Sequence, residues 1–340
     1  MKFYLIIAGF LFLQFSYAQE DTNTSVPKIW SLEECITYAI ENNITVKDAL
    51  LNTNIAEVNY DKAKSSRLPN LFSSASQSFS NGNSIDPITS DFVSDQIYST
   101  NMGINSSMTL FQGNQISNDI KQRKLLLEQS LYIEEITRND IEVSILEIYL
   151  QSLFSKENIG IAENNFAVSE NEVLRAKARL DAGEIALNDY TEAQSQTATN
   201  KYQVIEAKNN YQQNIITLKQ LLELSPMQDI EIETIDKDLD LINLDLDKIA
   251  IYNEALGYLP EIKASELNIA INQKELSIAK GAYLPTLSLN GSVGTGYTSI
   301  KDNTFTEQFN LNFNQRVGLS LNVPIFNRNQ SGSKHSNYKH

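Results

Sequence analysis

Histidine, cysteine and tryptophan are nearly missing from this 340-residue chain, which has two His, one Cys and one Trp. Both histidines, His335 and His340, fall among the last ten residues. There is no Walker loop, HExxH, GxSxG or CxxC. No catalytic residue, cofactor-binding residue or metal ligand can therefore be nominated, and an enzyme is not expected. The single cysteine, Cys35, cannot form an internal disulfide. Its apolar, helical neighbours suit a buried structural thiol. Basic residues are also short, with 27 Lys and Arg against 42 Asp and Glu and a net charge of −15. That balance excludes nucleic acid, which binds basic surface. Proline is absent from Ile88 to Ser225, so nothing there forbids long helices.

What is present begins with a secretory signal. Lys2 supplies a short positive region, Leu5 to Phe15 an apolar core, and Ser16-Tyr17-Ala18 a small-x-small cleavage site. Removal after Ala18 is expected. As a membrane anchor the core falls short of the ~20 residues that a helical span needs, and no other stretch reaches that length.

The chain then repeats itself. "AIENNITVKDALLNTNIAEVNYDKAKSSRLPNL" (39–71) aligns without a gap to "ALGYLPEIKASELNIAINQKELSIAKGAYLPTL" (255–287), a shift of 216 residues. Ala39 meets Ala255, Val46 meets Ile262, Ile55 meets Ile271, and Leu68-Pro69 meets Leu284-Pro285. Further on, "TLFQGNQ" (109–115) matches "PIFNRNQ" (324–330) at a shift of 215. Each repeat predicts a helix (31–67 and 249–283) that stops at its Leu-Pro. The first is opened by Ser31 with Glu34 three residues on, a capping-box pattern. Two strands follow in each: 70–80 and 100–112, then 286–298 and 310–326.

The strands alternate with period two. Leu311, Phe313, Gln315, Val317, Leu319, Leu321, Val323 and Ile325 interleave with Asn312, Asn314, Arg316, Gly318, Ser320 and Asn322. Leu287, Leu289 and Val293 interleave with Ser288 and Asn290; Met102, Ile104, Met108 and Leu110 interleave with Asn105 and Ser107. The serine-rich strand after Pro69 is weaker. Alternation alone fits either a half-buried periplasmic sheet or a membrane β-barrel. Two features favour the barrel: segments of about ten residues suit a tilted membrane strand, and the polar face is small and uncharged apart from Arg316. On that reading Asn105, Ser107, Ser288, Asn290, Asn312, Asn314, Arg316 and Asn322 face the lumen. Four strands cannot close a barrel, since small ones start near eight, so several chains would share it.

Residues 114–224 predict a long helical hairpin. Val143, Leu146, Leu150 and Leu153 form one apolar stripe, and Ile141, Ile145 and Ile148 another, so the helix has neighbours on two sides. A local bend is possible at Gly160. Gly183, in "RLDAGEIALNDYTEA" (179–193), is costly inside a helix but free to adopt a positive φ and reverse the chain. The second helix is expected to start at Asn188 or Asp189, both good caps. Asp229 to Lys248, acidic with alternating Ile and Leu, reads as a connector at 225–248, solvated or carrying short strand or helix pieces.

The tandem repeat, "SRLPNL" and "AYLPTLSL" leading into strands, "NVPIFNRNQ" and "RLDAGEIALNDYTEA" together resemble the TolC family of outer-membrane efflux channels. The resemblance covers nearly the whole mature chain. It implies an α+β membrane protein, a homotrimer whose chains each give four strands to a twelve-strand barrel in outer-membrane lipid, continued by a periplasmic α-helical barrel. It further implies a Gram-negative outer membrane and periplasm, and a passive conduit of an efflux or type I secretion system. A periplasmic adaptor and an inner-membrane pump would be its partners. Arg179, Asp181, Gly183, Glu184, Leu187, Asn188 and Asp189 match the hairpin tip that adaptors contact. The competing class is a periplasmic helical-hairpin adaptor or scaffold.

One departure stands out. Repeat one (19–224) includes the hairpin; repeat two (249–328) is followed only by a polar tail, 329–340. A shift of 216 would place the counterpart of Gly183 near residue 399 and that of Leu224 near 440. A missing second hairpin, with its gate residues, and an inactive, truncated channel are the corresponding expectations.

Overall fold

The computed structural model describes residues 28–85, 90–234 and 247–326. The expected signal segment, most of the acidic stretch and the polar tail lie outside them. The chain divides into two compact units, one of residues 1–43 with 141–240 and one of 44–140 with 241–340.

The first unit joins a short parallel strand pair to a helical hairpin. β1 (Lys28–Trp30) pairs in parallel with β4 (Ile230–Ile232). α1 (Leu32–Asn42) opens on the Ser31/Glu34 capping box, with both reciprocal hydrogen bonds formed. The hairpin consists of α3 (Gln115–Asp181), whose residues from Ile141 onward belong here, and α4 (Leu187–Leu221). The core comprises Trp30, Cys35, Ala39, Ile145, Tyr149, Ile215, Leu218, Leu222, Ile230 and Ile232. Burying each large apolar side chain contributes about 1.5–3 kcal/mol. Cys35 is fully buried, as its neighbours suggested. The Tyr149 hydroxyl lies 3.1 Å from the Trp30 carbonyl and 2.9 Å from that of Glu233, tying α3 to both strands. The solvated-connector reading fails for Ile230 and Ile232. Their alternation with exposed Glu231 is that of a strand with one face on the core. α3 also runs unbroken through Gly160, where no bend interrupts it.

The second unit carries the repeat. α2 (Ile44–Ser65) leads into β2 (Asn70–Ile85) and β3 (Phe92–Gln112); α5 (Lys248–Tyr258) and α6 (Pro260–Gly281) lead into β5 (Thr286–Thr298) and β6 (Asn314–Asn322). The helix expected at 31–67 is two helices broken at Asn43, and that at 249–283 is broken at Leu259. The breaks coincide under the 216 shift. Asn43 has φ −60°, ψ 131° and Leu259 has φ −61°, ψ 127°. In each case the amide at the break donates to the carbonyl four residues earlier, Ala39 or Ala255. Pro260 explains the second break, since it forces its predecessor out of the helical region. At the first, the Asn43 side-chain amide donates to the Leu221 carbonyl at 2.9 Å, holding an extended residue in place without a proline.

β2, β3, β5 and β6 form one antiparallel sheet in that order. Asn70 pairs with Ser107 in the first hairpin and Thr286 with Asn322 in the second. The first strands are thus related by 216 and the second by 215, which locates the one-residue slip in the connections between strands. The second connection holds α7 (Phe305–Leu311), a helix where a strand start was expected. Thr304 and Glu307 form its capping box. Buried Gln308 bonds both the amide and the carbonyl of Thr298. Leu311 ends that helix, Asn312 caps it, and β6 begins only at Asn314. Among the described residues, no helix is long and apolar enough to cross a membrane.

Candidate functional site

The register sorts the sheet residues into two faces. On one, Met108, Leu289 and Leu319 are cross-strand neighbours, as are Ile104 and Val293, and Phe111, Leu287 and Leu321. On the other, Ser107 stands beside Asn290, Thr109–Ser288–Ser320 form a row, and Asn105–Ser292–Arg316 form another, extended to Phe72 on β2. Asn314 pairs with Gly294, and Asn322 with Thr286, on this same face. Side-chain hydrogen bonds knit it: Asn290 Nδ2 donates to Ser320 Oγ at 3.1 Å, and the Ser107 amide donates to Asn70 Oδ1.

Asn105, Ser107, Ser288, Asn290, Asn314, Arg316 and Asn322 therefore share a face. Asn312 does not belong with them. It lies outside the strands, and its amide donates to the Gly296 carbonyl at 2.7 Å. Leu110 also departs from the expected alternation. A bulge between Thr109 and Phe111 puts Phe111, not Leu110, opposite Leu287.

Neither face of the outer part of the sheet is covered. Val317 is 81% exposed, Leu319 67% and Leu71 75%, while Asn314, Arg316, Gly318 and Ser320 are exposed on the opposite side. Among the described residues β2 and β6, at the two ends of the strand order, each have one sheet partner. An apolar sheet face open to solvent is a liability in water and a necessity in lipid.

The hairpin tip is a tight reversal. Gly183 has φ +77°, its amide donates to Leu180 O, and the Glu184 amide donates to Arg179 O. This pair of bonds is a Schellman motif, which glycine closes without strain. Ala186, not Asn188 or Asp189, caps α4, because the reversal is complete by residue 186. Asp189 instead sits at the third helical position, its carboxylate accepting from the Ala186 amide at 3.2 Å. Arg179 pairs with Glu184 and Lys177 with Asp181, all exposed. Leu187 and Asn188 are exposed beside them.

Between tip and core, α3 and α4 meet through small and polar contacts. Thr197 Oγ1 donates to Ser169 O, Asn214 Nδ2 to Ser155 Oγ, and Lys208 pairs with Glu163. Of the two expected stripes, Ile141, Ile145 and Ile148 face the core, joined by Leu153. Val143, Leu146 and Leu150 remain exposed, and the exposed stripe continues through Phe154, Ile161 and Val168 at helical spacing.

Residues 35–223 match the model of the outer membrane efflux protein family. The chain belongs to this family. Within it, the chain is similar to the pyoverdine export outer membrane protein OpmQ of Pseudomonas putida, 28% identical over 187 residues. That stretch covers 54% of this chain and 37% of OpmQ. It is 22% identical over 228 residues to the outer membrane protein TolC of Vibrio cholerae, covering 66% of this chain and 50% of TolC. The matches thus span half or less of these curated relatives. Among solved structures, CusC superposes with a TM-score of 0.76 at 18% identity over 96% of this chain and 72% of its own. The CmeC outer membrane channel of Campylobacter jejuni gives 0.75 at 18% identity, covering 91% and 64%. These likenesses show a TolC-like fold. The family is one of channel proteins, and the relatives are outer-membrane proteins of Gram-negative bacteria. The Trp30–Tyr149 clasp, with β1 and β4, was missed from sequence. The period-two Ile230/Ile232 pair was its one visible signal.

Proposed function

We propose that three copies of this outer membrane efflux protein close a twelve-strand barrel in the outer membrane and act as a passive conduit for efflux or type I secretion. The observation that carries this reading is the open sheet. Its four long strands have one apolar and one polar face, and each end strand has an unused edge. In a shared barrel the apolar face meets lipid, the polar face lines water, and each β6 edge pairs with the β2 of the next copy, which removes the exposed edges. The polar face then includes Asn105, Ser107, Ser288, Asn290, Asn314, Arg316 and Asn322.

The exposed stripe from Val143 to Val168 suits a neighbouring helix in a periplasmic wall. The tip, with Arg179, Asp181, Gly183, Glu184, Leu187, Asn188 and Asp189, suits contact with a periplasmic adaptor that recruits an inner-membrane pump. The pyoverdine-exporting relative makes a secreted organic metabolite a cargo to assay beside drugs and proteins. Fractionation tests the proposal. Heat-modifiable trimers in the outer membrane are expected, and a soluble periplasmic monomer would point instead to an adaptor-like scaffold.

A further inference from the structure

Among strand residues of the four-stranded sheet whose side chains are described, Arg316 is the only charged one on either face. It stands third in β6, opposite Ser292, in a row with Asn105 and Phe72. Its neighbours on that face are uncharged and small: Asn314 and Gly318 along the strand, Gly294 and Asn290 on β5. A side-chain carbon built at Gly318 would meet nothing within 4 Å, so nothing crowds the guanidinium from that side. Arg316 is exposed and makes no ion pair among the described residues. The chain as a whole carries −15, so a cation among these uncharged neighbours runs against its general charge.

We infer that Arg316 makes the barrel lumen selective for anionic solutes. The inference rests on the shared-barrel reading. An arginine on the lipid side is strongly disfavoured at bilayer depth, whereas one on the water side keeps its charge hydrated. Closure by three copies sets three Arg316 side chains around one lumen at one level. The register places Asp95 of β3 on the same face but ten residues along from Asn105, about 34 Å from the Arg316 row at ~3.4 Å per residue. Rings of Arg or Lys attract anions and repel cations. Arginine keeps its charge at any working pH, so the preference is pH-independent. A single charge ~10 Å from a monovalent ion in water changes the ion's local concentration by about twofold. In roughly 10 mM salt the Debye length of ~30 Å leaves most of that bias unscreened.

The test is reversal-potential measurement across planar bilayers containing the full chain, in a dilute potassium chloride gradient. The wild type is expected to favour chloride over potassium. Arg316→Lys should keep that preference, Arg316→Ser should lower the chloride-to-potassium permeability ratio by about twofold or more, and Arg316→Glu should invert it. Arg316→Cys, modified after channels have opened, removes folding from the question. A cationic thiol reagent should restore anion preference and an anionic one should reverse it, while Cys35 stays shielded in its core. Open channels with the same selectivity in all variants would overturn the inference and leave the barrel standing. Absence of any channel from membrane-inserted wild type would overturn both.

Discussion

Tyr149 is the residue on which the first unit closes. Its hydroxyl reaches the ends of both short strands, and its ring is buried with Ile145 against Trp30 and the β4 isoleucines. Tyr149→Phe is expected to lower stability by about 1 kcal/mol, the usual net worth of one such hydrogen bond, as read from the chemical unfolding midpoint. Burial pushes the Tyr149 pKa from 10.0 up to about 12. Below pH 10 the residue is neutral in both states and contributes no pH dependence. As pH rises from 10 toward 12 the unfolded chain loses this proton while the folded one holds it, so stability falls. Tyr149→Phe should flatten that part of the stability-against-pH curve.

The glycines divide just as sharply. Gly113 has φ +55°, and a Cβ there would run into the Gly281 carbonyl oxygen and lie 2.9 Å from Leu284 Cβ. Gly113→Ala should cost about 1–3 kcal/mol through overpacking, with backbone strain added. Gly160 lies inside α3 with open space around it, so Gly160→Ala should gain about 1 kcal/mol from helix propensity. Thermal melting of the two variants in detergent checks the opposite signs. Two things separate them: Gly113 needs a positive φ at the strand-to-helix turn, and Gly281, distant in the chain, approaches it closely.

Among the elements, those with strong local signals were legible. Leu-Pro ended α2 and α6 near the expected positions, and the alternating residues formed β3, β5 and most of β6. The serine-rich β2 had little signal of its own, yet it pairs along 16 residues because β3 supplies the template. Three features needed partners from elsewhere in the chain. Asn43 breaks its helix through a bond to Leu221. Ile230 and Ile232 become a strand by lying beside β1. Leu311 and Asn312 continue the period-two pattern, but Leu311 ends α7 and Asn312 caps it; Gln308 anchors that helix on Thr298. At the tip, Gly183 was readable because positive φ is a property of one residue. The exact start of α4 was not, since Asn188 and Asp189 are both better cap residues than Ala186, which actually caps it. Gly183→Val should cost about 1–2 kcal/mol by forcing a branched side chain into the left-handed region, and Leu187→Glu should leave the fold unchanged because the side chain is 65% exposed. If the tip meets an adaptor, Leu187→Glu should nonetheless abolish co-purification with it. Unchanged co-purification would remove Leu187 from the contact.

For the whole molecule, the outer edges of β2 and β6 decide whether the barrel is shared between copies. Within one chain β3 and β5 separate them, so three strand spacings of ~4.8 Å keep them about 14 Å apart. A disulfide needs Cα atoms within ~7 Å, so it can join β2 to β6 only between copies. The decisive measurement places one cysteine at Ser76 on β2 and a second at successive polar-face positions of β6 from Asn314 to Asn322, in a Cys35→Ser background, and oxidises the protein in native outer membranes. The shared barrel predicts that some pairing yields a disulfide-linked ladder ending at the trimer, with no such product from either single cysteine alone. Monomer at every β6 position, in chains recovered folded from the outer membrane, would contradict it.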